Sequence, residues 1–221
     1  MKKILLGGLI LGLLSADYTI SYQFDESDDI SVIETMQYKN SHNIKLSYHY
    51  NDDKNIPQTG LYRINNIDYI VNLEDDMNLT YTIIDKNLHY KDNDKSTKEP
   101  FFKLIKKLDK EYIAGFNGEI WVVESTEDGV TEQENIVVCS NKELVKAVKD
   151  YFHIMKDFGE GANGQEFDYE LESMFMVAKG YVLIAAKGIE LLKFEKNSIP
   201  SMVFKLPKGT TKHIEDENGE D

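Results

Sequence analysis

Cysteine is nearly absent from this chain. Cys139 is the one thiol among 221 residues, which excludes an internal disulfide and any cysteine-based zinc site. It ends a β-branched run in "ENIVVCSNKEL", where a small buried apolar residue fits better than a reactive thiol. Histidine is sparse too. None of His42, His49, His89, His153 and His213 forms HExxH or a close i, i+4 pair. His42 and His49 lie seven residues apart on one candidate strand and so point to opposite faces. No Gly-x-Ser-x-Gly occurs, and Cys139 has no local signature of a histidine partner. Positive charge is in deficit: 25 Lys and Arg against 39 Asp and Glu give a net charge of −14, which disfavours nucleic acid and anionic membrane surfaces as general partners. After residue 14 no apolar run approaches the roughly 20 residues a spanning helix needs. The acid clusters "DESDD" (25–29) and "EDD" (74–76) lack the spaced ligands and the glycine of a calcium loop and read as solvated turns. Paired carboxylates for glycoside hydrolysis are defined in space, and abundant acids make such pairs easy to invent. No catalytic constellation, metal site or cofactor is expected.

What is present starts with "MKKILLGGLILGLLSADYT". Lys2 and Lys3 form a positive n-region, Ile4 to Leu14 an apolar run, and Ser15-Ala16 a small-residue cleavage site, the pattern of a secretory signal peptide. "GGLILG" lies within that run and is no phosphate loop. No cysteine follows the small residues, so a lipidated N-terminus is not expected. Cleavage after Ala16 removes two lysines and takes the side-chain sum from −14 to −16. The expected location is the periplasm, with no transmembrane span in the mature chain.

The first half is dense in Tyr, Ile, Val and Thr. "DYTISYQFD" alternates Tyr18, Ile20, Tyr22 and Phe24 on one face, the period of a strand. "SVIETMQYKN" and "NIKLSYHYND" read as paired strands joined near Asn40-Ser41-His42. "TGLYRINNIDYIVNL" reads as a hairpin turning at Asn65-Asn66, since Asn tolerates the left-handed backbone of tight turns; "NLTYTIID" adds a strand. Residues 85–99 are polar and read as a loop. In "PFFKLIKKLDK", Phe101, Leu104, Ile105 and Leu108 recur at helical spacing behind Pro100, so a short amphipathic helix is expected.

"IAGFNGEIWVVES" (113–125) carries the only tryptophan. Asn117-Gly118 is a strong hairpin signal. That turn sets Ala114 across from Trp121 and Tyr112 across from Val123 on one face, with "VTEQENIVVCS" returning as a third strand after Glu127-Asp128-Gly129. "SNKELVKAVKDYFHIMKDFGEG" is the clearest helix, with Ser140 and Glu143 as a capping box and Gly159 as a stop. Leu144, Val148, Tyr151, Phe152 and Met155 make its apolar stripe. Lys142, Lys146, Lys149, His153 and Lys156 line the other side as a positive ridge, a solvated face or a docking surface for acidic groups. "FDYELESMFMVAKG" spaces Phe167, Leu171, Met174, Phe175 and Ala178 for a second helix. "YVLIAAKGIELLKFEKNSI" returns to strands around Gly188, and residues 211–221 form an acidic tail without core residues.

This order of strands, meander, one or two helices and a closing β pair resembles the LolA-like periplasmic proteins, and more narrowly a periplasmic domain family of unknown function within that group. "GLYRINNIDYIVNLEDDMNLTYTI", "IAGFNGEIWVV" and "ELLKFEKNSIPSMVFKLPKG" carry the likeness, which covers most of 17–210. It implies an α+β fold in which a curved antiparallel sheet, a half-barrel, wraps one or two helices around an apolar cavity. Such proteins often place a cysteine after the Ile-Ala-Gly-aromatic run, where this chain has Gly118, so no disulfide or metal role transfers. No catalytic residues transfer either. The leading expectation is a non-catalytic carrier for an acyl chain, lipid, lipidated peptide or lipoprotein. Tyr112, Trp121, Val123, Leu144, Val148, Phe152 and Met155 would line its cavity, and Lys142, Lys146 and Lys149 would serve docking. A structural or partner-binding envelope protein with a filled core is the alternative, and a hydrolase the third. The sequence does not set the oligomeric state.

Overall fold

Tyr18, Ile20, Tyr22 and Phe24 lie on one face of the first strand, as their alternation requires. A computed structural model describes residues 17–25, 30–50, 59–74, 77–84, 101–127, 130–161 and 176–212. The leader expected from sequence (1–16), the polar loop at 85–99, the turn residues 128 and 129, and positions 167, 171, 174 and 175 of the expected second helix lie outside these residues.

The first half supplies β1 (Tyr18–Asp25), β2 (Ser31–Asn40), β3 (Asn43–Tyr50), β4 (Thr59–Ile64), β5 (Ile67–Leu73) and β6 (Leu79–Ile83). The second supplies β7 (Phe101–Ile113), β8 (Phe116–Glu127), β9 (Val130–Cys139), the helix α1 (Lys142–Gly161), β10 (Val182–Ala186), β11 (Ile189–Glu195) and β12 (Thr211–Lys212). These strands form one open, curved sheet in the order β12-β6-β5-β4-β3-β2-β1-β11-β10-β9-β8-β7. Every pairing is antiparallel except the short β12–β6 contact. The fold is therefore α+β and predominantly antiparallel. Thr211 and Lys212, read from sequence as part of the tail, pair with Thr80 and Tyr81.

Asn65 and Asn66 turn the β4–β5 hairpin with φ of 51° and 69°, the left-handed pair that a two-residue hairpin of this hand needs. Gly188 turns β10 into β11 at φ 73°. Two other expectations are corrected. The run after Pro100 is not a helix but β7, an edge strand paired to β8 with register shifts between Leu104 and Lys106 and between Lys107 and Lys110. Each shift adds a residue to one strand, which stretches a period of two into an apparent helical spacing. Leu104, Ile105 and Leu108 remain exposed by 39–46 %, so they form no buried stripe.

The second correction is the turn of the meander. It falls at Ala114-Gly115, with φ of 48° and 90°, so Ile113 pairs with Phe116 and Tyr112 with Asn117. The pairings of Ala114 with Trp121 and of Tyr112 with Val123 do not form; Trp121 lies across from Lys107. β8 runs straight through Asn117-Gly118. Gly118 is needed for space rather than for a turn: a Cβ there would lie 2.4 Å from Val137 Cγ1 and 2.9 Å from Ile184 Cδ1.

Helix α1 packs on one face of the sheet. Leu144, Ala147, Val148, Ile154, Met155 and Phe158 are buried in the main core with Tyr18, Met36, Leu46, Val137, Val182 and Leu191. Its cap is Asn141, not Ser140: the backbone N–H groups of Glu143 and Leu144 donate to Asn141 Oδ1 at 3.0 and 3.1 Å. Glu143 instead pairs with Lys196 at 2.6 Å, so the capping box is not made. The helix continues past Gly159 to Gly161.

The opposite face is covered in two places. After β11 the chain crosses to the far edge. The Ile199 N–H donates to Asp17 Oδ2 at 2.8 Å, and its carbonyl accepts from Lys39 Nζ at 2.7 Å. Leu206 then packs over Tyr62, Val71 and Leu79. At the other end Trp121, Val123, Ile136 and Val138 are covered by Met176 and Tyr181.

Candidate functional site

The helix face is not filled completely. A cavity of about 50 Å³ lies between α1 and the sheet. Ile20, Tyr22, Phe24, Glu34 and Met36 of β1 and β2 form its floor, and Val148, Tyr151 and Phe152 of α1 its roof. Val177, Val182, Leu183 and Ile189 close one side. The lining grades from buried Ile20, Met36 and Val182 to half-buried Phe24, Tyr151 and Phe152, which marks the mouth. The apolar wall has one carboxylate among its described residues, Glu34, only 5 % exposed.

Two polar anchors fix the helix beside this gap. The Tyr18 hydroxyl lies within hydrogen-bond reach of the Ala147 carbonyl (3.5 Å) and of Asp150 Oδ2 (3.4 Å), and its ring stacks on Tyr38 at 4.9 Å. Burial, then the Asp150 charge, pushes the Tyr18 phenol well above its ordinary range. Further along, Arg63 and Asp68 face each other across β4 and β5 and form two hydrogen bonds of 2.6 and 2.8 Å. The guanidinium sits 5.3 Å from the centre of the buried Phe158 ring. Planar two-bond pairing suits Arg in a dry setting, and Phe158 ties the end of α1 to it.

The structure divides the residues read from sequence as cavity lining. Val148 and Phe152 line the cavity. Leu144 and Met155 are packed into the core. Trp121 and Val123 belong to the cluster on the opposite face, so the helix stripe does not face the Trp121 side of the sheet. Tyr112 is 69 % exposed on the edge strand. The reason is parity: with β8 unbroken at Asn117-Gly118, Phe116 and Trp121 point to opposite sides. Trp121 is instead part of a surface unit. Its Nε1 donates to Glu119 Oε2 at 3.0 Å, Lys107 Nζ donates to the same oxygen at 2.8 Å, and Nζ lies 4.7 Å from the indole centre. The Lys107 hydrogen bond, then the indole N–H, lowers the Glu119 pKa, and Glu119 raises that of Lys107.

Lys142, Lys146 and Lys149 are exposed on α1. Lys146 pairs with Asp150 at 2.6 Å, so that ridge is partly neutralised. Sequence reading missed Glu34 as a site residue. The signal was available: Val32, Glu34 and Met36 share one face of β2, and a carboxylate there interrupts an apolar row. Among the described residues no three His, Cys, Asp or Glu side chains gather into a metal-binding group, and no helix is long and apolar enough to cross a membrane. No family model, curated protein or solved structure matches this chain.

Proposed function

We propose that this chain is an exported, non-catalytic binding or carrier protein of the LolA-like half-barrel type, taking the apolar part of a ligand between α1 and the sheet. The single observation behind this reading is the cavity of about 50 Å³ with its apolar lining under Val148 and Phe152. Its size suits a short chain or the end of a longer one, since about 10–15 Å³ on this measure holds one water. Burial of each methylene is worth about 0.8 kcal/mol before ordering costs are subtracted. Export rests on Lys2, Lys3 and the Ile4–Leu14 run, and the periplasm is the compartment in which such a carrier would act.

The alternative, an envelope protein without ligand, draws on the complete burial of Leu144 and Met155. A titration with the neutral fluorescent probe N-phenyl-1-naphthylamine separates the two. Val148→Phe fills the cavity and is expected to weaken binding by about tenfold, equivalent to about 1.4 kcal/mol. Equal binding by Val148→Phe and the parent chain would favour the envelope reading.

A further inference from the structure

β7 is the outermost strand at its end of the sheet, and among the described residues no strand pairs with its outer side. It is 13 residues long, and every residue from Lys103 to Tyr112 is exposed. Leu104, Ile105, Leu108 and Tyr112 put apolar surface on this one strand. A long edge with apolar side chains is a template for another strand, and lysine is a common guard against it. Here the guard is offset. Lys103, Lys106, Lys107 and Lys110 are matched in number by Asp109 and Glu111 on β7 and by Glu119 and Glu124 across from it on β8. The edge is locally neutral on a chain of net charge −14. Copies of an acidic chain meet with least repulsion through a patch that carries no net charge.

We propose that β7 pairs antiparallel with β7 of a second copy of this chain, about a two-fold axis at Lys107, so that Lys103 of each copy faces Glu111 of the other. A two-fold axis between antiparallel strands sets one residue opposite its own copy. Lys107 is the middle residue of β7, so an axis there pairs the strand along its whole length. It also keeps the side-chain faces in phase. Lys103, Lys106 and Glu111 lie across from Glu124, Val122 and Gly118 on one face; Leu104, Lys107, Lys110 and Tyr112 lie across from Val123, Trp121, Glu119 and Asn117 on the other. The axis at Lys107 sets Lys103 against Glu111 and Leu104 against Lys110, each pair on one face. The phase changes, at Ile105 and within Leu108-Asp109, then fall beside each other. An axis one residue later would set Lys106 against Lys110, two cations on different faces. Opposite charges directly across a strand pair stabilise it, and the stem of Lys110 can lie along Leu104. Lys107 meets its own copy, but each is held by Glu119 at 2.8 Å. The contact involves none of the cavity lining and stands apart from the ligand reading.

Analytical ultracentrifugation of the parent chain over a concentration series is expected to show a monomer–dimer equilibrium. Glu111→Lys, at an exposed position across from Gly118, should weaken the dimer at least about tenfold. Adding Lys103→Glu to the same chain restores opposite charges across the axis and should return the dimer to within about threefold of the parent. Cross-linking checks the register independently. Residues opposite each other in an antiparallel pair have Cα atoms about 4.5–5.5 Å apart, within disulfide reach. Lys107→Cys should therefore give a covalent dimer under mild oxidation. Lys110→Cys, about 20 Å from its copy, should not, with the buried Cys139 present in both variants. A parent chain that stays monomeric overturns the proposal and leaves the edge to a strand of another protein. A dimer indifferent to Glu111→Lys, one that the double change does not restore, or equal cross-linking at 107 and 110 also overturns it.

Discussion

On the helix face, Arg63 and Asp68 meet beneath Phe158 with side chains 7 % and 0 % exposed; on the opposite face, Lys107 and Glu119 meet beside Trp121 with side chains 48 % and 42 % exposed. The chemistry is the same and the surroundings are not. An exposed pair gains little, because water and salt screen it. A buried pair has given up hydration on both sides, so each partner depends on the other. The helix face also holds Glu34 and the cavity. The buried charged residues thus share a face with the packing gap, although only Glu34 lines it, while the Trp121 side is closed by a surface ion pair and an aromatic edge contact with Tyr181 at 4.8 Å.

The sharpest way to break this comparison is to remove one partner of the buried pair. Asp68→Ala leaves the Arg63 guanidinium buried without its two-bond partner and is expected to cost about 3–5 kcal/mol in urea unfolding. The double change Arg63→Met with Asp68→Leu should recover much of that loss. A cost for Asp68→Ala no larger than that of a surface substitution would show that the two pairs are equivalent after all.

An intermediate effect is expected at Gly118, whose missing side chain makes room for Val137 and Ile184 on the helix face. Gly118→Ala should destabilise by about 1–3 kcal/mol through overpacking. Asn117→Ala, at an exposed position, should stay within about 0.5 kcal/mol. Were Asn117-Gly118 the hairpin turn, both changes would be felt, so the pair of unfolding midpoints separates a space requirement from a turn requirement.

The smallest effect belongs to the exposed pair. Glu119 has its pKa lowered from 4.5 by the Lys107 hydrogen bond and then by the indole N–H. A carboxylate depressed in the folded state contributes stability that is present above 4.5 and lost as pH falls through its folded value. Trp121 emission should therefore shift on acidification below 4.5, and Glu119→Gln should remove that shift with little change in stability at pH 7. A shift that persists in Glu119→Gln would place its origin elsewhere.

Much of this fold was legible because period and turn chemistry agreed locally. β1, the Asn65-Asn66 hairpin, α1 and the Gly188 turn each carry their own signal, and each forms. What was not legible depended on neighbours distant in sequence. Asn117-Gly118 has the composition of a turn, but the close approach of Val137 and Ile184 explains the glycine. The bulged pairing of β7 mimics a helical period. Leu206, which helps close the opposite face, and the buried Ile199 and Phe204 before it have no periodicity because the crossing segment is irregular. Of the cavity, Val148 and Phe152 could be read from the stripe on α1, whereas assigning Trp121 to the other face required the correct turn.

The central claim is that the helix face, and not the Trp121 face, receives the ligand. Methyl-resolved NMR of the protein during titration with n-hexanol tests it most directly, because the two faces carry distinct reporters. The account predicts shifts at Ile20, Met36, Val148 and Val182, with Val123, Val138 and Leu206 unmoved. Shifts at Val123 and Val138 with the four helix-face methyls silent would contradict it.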